Sequence, residues 1–327
     1  MKATRSADPA LSFAFRAPTR IDFGGGWTDV PPYDVEQGGF VCNVAISRYA
    51  VVRVQSALDP TSEGELAVAR PSDLPLLQAV ARKYDVRGVR MTLASDFPVA
   101  AGLGGSSAAG VASIAAALRC HGETRSRRDI AEASRDLEIT ELGIAGGRQD
   151  HYAAAFGGAL GIRFGGKVEP EPIPLSPLAI AELPRRCLVI YTGESRVSAH
   201  TITAVMGAYQ NGAPGVRHAL RRMRELAEQM VPALAAGDFD ALAALVNEQW
   251  QHQRSLDPAI PTPLIDSIIV QAMNAGATGG KALGASGGGC VLLIAPINRV
   301  DAVRRSVASL GEAIEYTVDT TGVTECA

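Results

Sequence analysis

The sequence predicts an α+β protein with two domains, at residues 1–185 and 186–327. Two observations support this fold class. Segments typical of strands alternate with segments typical of helices in both halves of the chain, which is the pattern of mixed α and β domains. A proline-rich stretch at 167–186 separates the two halves, and 327 residues are enough for two domains of ordinary size.

The first half begins with two segments rich in valine, isoleucine and phenylalanine, which predict strands at 13–23 and 39–55. A third strand is predicted at 90–95. The alanine-rich segment 107–118 predicts a helix, because alanine has the highest helix propensity. Ser126 is a suitable N-cap for a further helix, in which apolar residues recur at helical spacing.

We interpret the stretch 167–186 as an irregular crossing that ends the first domain, because proline interrupts regular structure. Beyond it the sequence predicts, in order, a strand at 187–195, helices at 216–235, 239–253 and 263–275, and a strand at 290–295. Gly237 and Asp238 supply a C-cap and the next N-cap between the first two of these helices.

The composition is typical of a soluble globular protein and argues against several functions. Apolar residues make up 47% of the chain, charged residues 20%, and the net charge is −3, so we expect no binding to nucleic acid or to an anionic membrane. No apolar stretch is long enough to span a bilayer, and the N-terminus lacks the apolar core of a signal peptide. Five scattered cysteines without a CxxC pair predict a cytoplasmic protein with neither disulfide framework nor zinc site.

Three glycine clusters, at 24–26, 102–105 and 284–289, could form a ligand site. Each could also be a simple turn, since glycine is the default turn residue. The second cluster precedes the alanine helix, whose N-terminus carries unpaired N–H groups and a partial positive charge, so glycines there would let a phosphate group approach the backbone. The candidate phosphate-binding residues are Gly102, Leu103, Gly104, Gly105, Ser106 and Ser107.

Several well-known nucleotide-binding motifs are excluded. A Walker A loop needs a lysine before its serine or threonine, and no lysine follows Gly105. A Rossmann fingerprint needs a third glycine where Ser107 stands, and the HRD and DFG motifs of protein kinases do not occur. The hydroxyl of Ser106 or Ser107 could cap the helix, which is the more common use, or reach a metal ion bound to the phosphate.

Two acidic residues could serve phosphoryl transfer, which needs magnesium on oxygen ligands and a group that deprotonates or orients the acceptor. Asp150 follows a Gly-Gly loop in GGRQDHYAAAFGG, where it could be a base or only the N-cap of a helix at 152–156. Glu138 lies near a helix end, where a glutamate is normally a solvated surface charge. The residues by themselves leave both alternatives open.

Three motifs, in order, resemble those of the galactokinase–homoserine kinase–mevalonate kinase (GHMP) superfamily: RAPTRIDFGGGWTD at 16–29, PVAAGLGGSSA at 98–108 and GGKALGASGGGC at 279–290. The intervening GGRQDHYAAAFGG matches as well. The resemblance implies the two-domain GHMP kinase fold, with a ribosomal-protein-like N-terminal domain and a ferredoxin-like C-terminal domain. It also implies ATP-dependent phosphorylation of a small-molecule hydroxyl group.

The resemblance implies roles for single residues. Asp150 matches the catalytic aspartate, and Arg20 matches the basic residue near Asp150 and the transferring phosphate. Ser107 and Glu138 match the magnesium ligands, although the loop from Glu138 to Asp150 needs a one-residue gap. Asp29 matches the aspartate that holds sugar hydroxyls in galactokinases.

Within the superfamily, sugar kinases fit best. GGGWTDVPPY resembles L-fucokinases, whereas the middle and end of the chain resemble D-glycero-D-manno-heptose 7-phosphate kinases, which usually have glycine in place of Trp27. Both groups phosphorylate an anomeric hydroxyl, so the implied partners are a sugar and ATP, with Mg²⁺. The further candidates for substrate binding are Trp27, Thr28, Arg196, Gly287 and Gly288.

A heptose phosphate would need an extra basic contact, from Arg196 or Arg48. A kinase of a non-sugar alcohol such as homoserine or mevalonate stays open as an alternative, as does a sugar sensor without turnover. The presence of Ser107, Glu138 and Asp150 favours an enzyme. We expect a monomer or a homodimer.

Overall fold

The computed structural model describes residues 12–57, 63–143, 146–194 and 199–326. The N-terminal segment that bears on the signal-peptide prediction lies outside these ranges. Within them the chain forms a seven-stranded sheet and a four-stranded sheet, with helices packed against each. The same ranges contain no helix with the combined length and apolar character that crossing a membrane requires.

The helices and strands follow the order of the two halves. The first half contains β1 (Ser12–Gly24), α1 (Tyr33–Gln37), β2 (Gly39–Ser56), β3 (Glu65–Val68), α2 (Leu74–Lys83), β4 (Val89–Ser95), α3 (Gly105–Cys120), α4 (Arg127–Thr140), α5 (Gln149–Phe156), β5 (Ala159–Phe164), β6 (Glu169–Ile173) and α6 (Pro177–Arg186). The second half contains β7 (Cys187–Tyr191), α7 (Ala199–Gln210), α8 (Pro214–Ala236), α9 (Phe239–Arg254), α10 (Pro263–Ala275), β8 (Gly279–Ala282), β9 (Cys290–Ile294), α11 (Val300–Val307), β10 (Glu312–Ile314) and β11 (Thr324–Cys326).

The long antiparallel pair β1–β2 is the centre of the larger sheet. β1 also pairs with β11, while β2 pairs further with β4 and β5. β3 and β6 lie at edges of this sheet. The smaller sheet is antiparallel, in the order β10–β7–β9–β8.

One apolar core joins the two halves. α3 packs on β1 and β2, and apolar side chains of α8, α9 and β9 bury in the same cluster as those of the two strands. The expected domain boundary after residue 185 falls inside the last turn of α6, one residue before its end. The division into 1–185 and 186–327 stays a prediction, and β11 lies in the sheet built by the first half.

Local signals located the principal elements well. The two long strands predicted in the first half are β1 and β2, and the helices predicted on either side of Gly237 are α8 and α9. Gly237 adopts a left-handed φ of 72°, and the Asp238 side chain accepts a hydrogen bond from an N–H group in the first turn of α9. Ser126 caps α4 in the same way, so these predicted caps are confirmed.

The prediction of an irregular crossing at 167–186 is wrong, because this stretch contains strand β6 and helix α6. Pro170 and Pro172 are tolerated in β6 because an edge strand pairs on one side only, here with β5. Ser176 caps α6 and Pro177 occupies its first turn, where an N–H donor has no intrahelical partner. Proline at these positions is compatible with regular structure.

Candidate active site

A cavity of about 560 Å³ lies between the two halves of the chain. Each glycine cluster contributes to its wall: Gly26 from the first, 102–105 from the second, and Gly284 with Gly288 from the third. The charged residues in the wall are Arg20, Asp22, Asp29, Arg70, Asp73, Glu138 and Asp150. Three motifs that are far apart in the sequence therefore meet at one cavity.

The loop before α3 presents bare backbone to this cavity. Gly104 precedes the helix with a φ of 75°, a left-handed conformation that glycine adopts without strain. Among the described residues no side chain caps α3, so the N–H groups of its first turn stay open. A Cβ atom at Gly104 would lie 3.0 Å from the Cγ atom of Asp150. The loop therefore has the form of an anion site directly beside a carboxylate.

Arg20 and Asp150 form an ion pair at this site. The Nε atom of Arg20 donates to Oδ1 of Asp150 at 2.7 Å, and the Nη1 atom donates to the carbonyl oxygen of Gly102. Burial disfavours the charge of Arg20, yet the surrounding carboxylates, with Asp150 first among them, raise its pKa above the ordinary value. Asp150 lies inside the first turn of α5, so the N-cap alternative is wrong.

Glu138 is buried, with 9% of its surface exposed, so the alternative of a solvated surface charge is wrong. The Oγ atom of Ser106 donates to its Oε1 at 2.6 Å, and the Nε2 atom of His151 lies 3.0 Å from its Oε2. Burial alone would raise the pKa of Glu138, but the hydrogen bonds with His151 and Ser106 outweigh it and lower the pKa. The carboxylate is therefore held at both oxygens.

The side-chain oxygens of Ser106, Ser107 and Glu138 suit a magnesium ion, which prefers carboxylate and hydroxyl ligands. Ser106 meets Glu138 directly, and the Oγ atom of Ser107 lies 3.3 Å from the His151 ring nitrogen that also contacts Glu138. The two predicted ligands, Ser107 and Glu138, thus lie in one cluster, to which the structure adds Ser106. Their role as metal ligands stays a prediction.

Asp29 is buried beside Asp150. Its Oδ2 atom accepts a hydrogen bond from the backbone N–H of Gln149 at 3.0 Å. Burial raises the pKa of Asp29 to about 7; the hydrogen bond from Gln149 opposes this rise, and the negative charge of Asp150 adds to it. Asp29 therefore exchanges its proton near neutral pH.

Trp27 lines the cavity, whereas Thr28 is not among the described residues that form its wall. Trp27 has a φ of 80°, a conformation that favours glycine and strains a bulky residue. The hydroxyl of Thr28 donates to the carbonyl of Gly25 at 2.7 Å and accepts from the N–H of Phe40 at 3.1 Å. Thr28 thus fixes the loop that carries Trp27 and Asp29.

The other residues predicted to bind substrate also fall into two groups, those in the cavity wall and those outside it. Gly288 lines the cavity, while the N–H of Gly287 donates to a backbone carbonyl of a neighbouring loop. Arg48 lies on β2, and the described cavity wall does not include it. Arg196 lies outside the described residues. The predicted substrate residues that the structure places in the cavity wall are Asp29, Trp27 and Gly288.

The sequence-based reasoning missed four polar residues here: Asp22, Gln149, His151 and Lys281. Asp22 follows Arg20 by two positions in β1 and so shares a face of that strand, and Gln149 and His151 flank Asp150 directly. Lys281 is fully buried in β8, with its Nζ atom 3.4 Å from Oδ2 of Asp22. A charged residue inside a buried strand was the signal that could have identified it.

Two family models match this chain. The model of the GHMP kinases N terminal domain matches residues 73–158, and the model of the GHMP kinases C terminal domain matches residues 230–313. Together they cover slightly more than half of the chain. The first match includes the glycine loop before α3, and the second includes the third glycine cluster.

Two curated relatives are similar over most of this chain. It is 25% identical over 302 residues to the D-glycero-alpha-D-manno-heptose 7-phosphate kinase of Campylobacter jejuni, a match that covers 84% of this chain and 86% of that protein. It is 26% identical over 313 residues to the bifunctional fucokinase/GDP-fucose pyrophosphorylase of Arabidopsis thaliana, covering 85% of this chain. The chain spans only 29% of the length of the Arabidopsis protein.

A solved structure shows the same fold. The crystal structure of a D-glycero-D-manno-heptose 1-phosphate kinase from Bacteroides thetaiotaomicron superposes with a TM-score of 0.79 at 22% sequence identity, over 97% of this chain and 99% of that chain. Together with the family models, this similarity confirms the predicted two-domain α+β fold. The chain therefore belongs to the GHMP kinase family.

Proposed function

We propose that this chain phosphorylates a sugar with ATP and Mg²⁺, and that the acceptor is the anomeric hydroxyl of a heptose 7-phosphate or of a fucose- or mannose-like sugar. The observation that carries the proposal is the position of Asp150. Its carboxylate pairs with Arg20 at 2.7 Å and borders the open N-terminus of α3 at Gly104. A carboxylate base beside an anion site suits phosphoryl transfer to a hydroxyl. The activities named for the relatives support a sugar as the acceptor.

In the proposed reaction the β- and γ-phosphates of ATP lie over the 102–107 loop. Asp150 accepts the proton of the sugar hydroxyl while the hydroxyl oxygen bonds to the γ-phosphorus, and the bond from that phosphorus to ADP breaks. Arg20 balances the charge of Asp150 and adds positive charge beside the transferring group. Mg²⁺, bound by Ser107 and Glu138, would neutralise charge on the phosphates.

Asp29 orients the sugar in this proposal. Its carboxyl oxygens lie beside the base, where they can accept hydrogen bonds from neighbouring hydroxyls of a polyol. A non-sugar alcohol of the homoserine or mevalonate type is the alternative acceptor, and a sugar sensor without turnover is the alternative to an enzyme. The grouping of Ser107, Glu138 and Asp150 at one cavity favours turnover.

A screen for ADP release with Mg²⁺ and ATP tests the proposal on L-fucose, D-mannose, D-galactose, heptose 7-phosphate, mevalonate and homoserine. We expect turnover with a sugar, and we expect Asp150→Ala to lower kcat by ~10²–10⁴-fold with unchanged ATP affinity. The matched control is Asp136→Ala, at an exposed position of α4, which should keep wild-type turnover. Turnover with homoserine or mevalonate alone would overturn the sugar assignment, and sugar binding without ADP release would favour the sensor.

A further inference from the structure

The glycine loop before α3 begins after Phe97 and ends at Gly105, the first residue of the helix. Phe97 is 5% exposed and, like Gly105, lines the cavity. A Cβ atom at Gly105 would collide with Cε2 of the Phe97 ring and would lie 3.0 Å from its Cζ atom. The ring therefore packs directly against the backbone at the start of α3, and this contact joins the two ends of the loop.

Arg70 fixes Phe97 in this position. Its Nη2 atom donates to the backbone carbonyl of Ser95 at 3.2 Å and to the backbone carbonyl of Phe97 itself. The Cζ atom of its guanidinium group lies 5.2 Å from the centre of the Phe97 ring, a distance typical of a cation–π contact. One side chain thus holds both the backbone and the ring of Phe97. We call Arg70, Phe97 and Gly105 the loop clamp.

The middle of the loop is attached separately to other elements. The backbone N–H of Arg20 donates to the carbonyl of Leu103 at 3.0 Å, and the backbone N–H of Cys290 donates to the carbonyl of Ala101 at 2.9 Å. The loop clamp adds the attachment at the two ends. Because no side chain among the described residues caps α3, the N–H groups of its first turn are open to a ligand while the loop around them is held in place.

We propose that the loop clamp pre-organises the glycine loop for ATP, with Arg70 as a positioning residue that acts through Phe97. A phosphate group that meets N–H donors already fixed in direction does not have to order the loop, and this lowers the free-energy cost of binding. Without the clamp the two ends of the loop can separate, so ATP binds more weakly. This inference rests on the proposed function, which places the phosphates of ATP against this loop.

Arg70→Gln and Phe97→Leu each disrupt the clamp, and titration calorimetry with Mg²⁺ and ATP in the absence of sugar measures the effect. We expect each substitution to raise the Kd for ATP by ~10-fold. The KM for ATP in the ADP-release assay should rise with it, by a larger factor than kcat falls at saturating ATP. Arg70→Lys keeps the charge, but one ammonium group cannot reproduce the planar contacts with two carbonyls and a ring. It should therefore restore only part of the affinity.

Arg186 and Phe239 supply the matched controls. Arg186 donates to the backbone carbonyl of Ala295 at 3.1 Å, and its guanidinium group lies 4.8 Å from the centre of the Phe239 ring. Neither Arg186 nor Phe239 is among the described residues of the cavity wall. Arg186→Gln and Phe239→Leu remove the same kinds of contact and should keep the wild-type Kd for ATP. Thermal unfolding of all four variants separates a loss of stability from a loss of ATP affinity.

The double variant Arg70→Gln/Phe97→Leu distinguishes the clamp from a direct contact between Arg70 and ATP. If both residues act through one contact, the second substitution adds little to the rise in Kd. Fully additive effects, wild-type affinity in Arg70→Lys or wild-type affinity in both single variants would overturn the clamp. If Arg70→Gln unfolds, Phe97→Leu alone decides, and a wild-type Kd there overturns the clamp. If the wild type binds ATP but phosphorylates no acceptor in the screen, the proposed function fails, while the calorimetric test of the clamp is unaffected.

Discussion

The Nε2 atom of His151 lies 3.0 Å from the Oε2 atom of Glu138, and the Nδ1 atom of the same ring lies 3.0 Å from the Oγ atom of Ser134. His151 is 1% exposed, so water has little access to either contact. Ser106 holds the other oxygen of Glu138. His151 is therefore a positioning residue, because it orients the carboxylate that is proposed to bind Mg²⁺.

His151→Phe keeps a ring but removes both nitrogens, so Glu138 loses one of its two anchors. We expect the Mg²⁺ concentration for half-maximal ADP release to rise by ~10-fold, as is typical when a group that orients a metal ligand is lost. His151→Gln retains an N–H donor and should show a smaller rise. The control His218→Phe changes an exposed histidine of α8 and should leave the Mg²⁺ dependence unaltered. An unaltered dependence in His151→Phe would contradict the positioning role.

Arg20→Lys should lower kcat by ~10–100-fold. Arg20 donates to Asp150 and to the Gly102 carbonyl with two different nitrogens, and the single ammonium group of lysine cannot reproduce this fork. Arg186 makes the same kinds of contact, to the carbonyl of Ala295 and the carboxylate of Asp240. Arg186→Lys is therefore the matched control. Steady-state kinetics at saturating ATP would measure both variants, and an equal loss in the control would refute a specific role of Arg20.

Gly104→Ala should lower kcat because it places a methyl group 3.0 Å from the Cγ atom of Asp150. The substitution also strains a left-handed φ, at a cost of about 1–2 kcal/mol in stability. Gly122, beyond the other end of α3, has a similar φ of 68° and open space around the position of a Cβ atom. Gly122→Ala should thus lose similar stability and keep its kcat. Thermal unfolding and ADP release, measured together, separate the two effects.

Asp29→Asn should make the folded protein more stable at pH 8, and this gain should shrink towards pH 5. The pKa of Asp29 is about 7 in the folded protein, against an ordinary value of 3.8. Between pH 3.8 and pH 7 the folded state therefore binds more protons than the unfolded state. Stability therefore falls as pH rises through this window, by at most about 4 kcal/mol from this one group. Asparagine avoids the buried charge and can still accept from Gln149. Urea unfolding at pH 5, 6, 7 and 8 would check this, and parallel curves for the variant and the wild type would disprove it.

Short-range signals predicted those parts of the fold that depend on neighbouring residues. The N-caps at Ser126 and Asp238 and the C-cap glycine at position 237 depend on hydrogen bonds within one turn, so the sequence shows them directly. The proline-rich stretch at 167–186 was mispredicted because its regular structure depends on pairing with a neighbouring strand. β6 forms at the edge beside β5, and local composition does not show where that edge lies.

In the candidate site, too, local motifs predicted some features and contacts between distant residues decided the others. The glycine loop before α3, Asp150 and Glu138 were identified from motifs, but their surroundings were not. Whether Glu138 is exposed or buried depends on α5, which places His151 against it. The contact between Arg20 and Asp150 joins positions separated by 130 residues. Residues so far apart meet only through the packing of whole elements.

The sequence by itself determined the α+β class, the order of the main strands and helices, and the family, because these depend on local propensity and on motifs with fixed spacing. Tertiary structure alone decided which polar groups share the cavity. The Nζ atom of Lys281, in β8, donates to the backbone carbonyl of Asp22, in β1, across 259 positions of the chain, because elements of both halves pack around one apolar core. Whether a buried polar atom is paired or open depends on such contacts, and no short-range pattern encodes them.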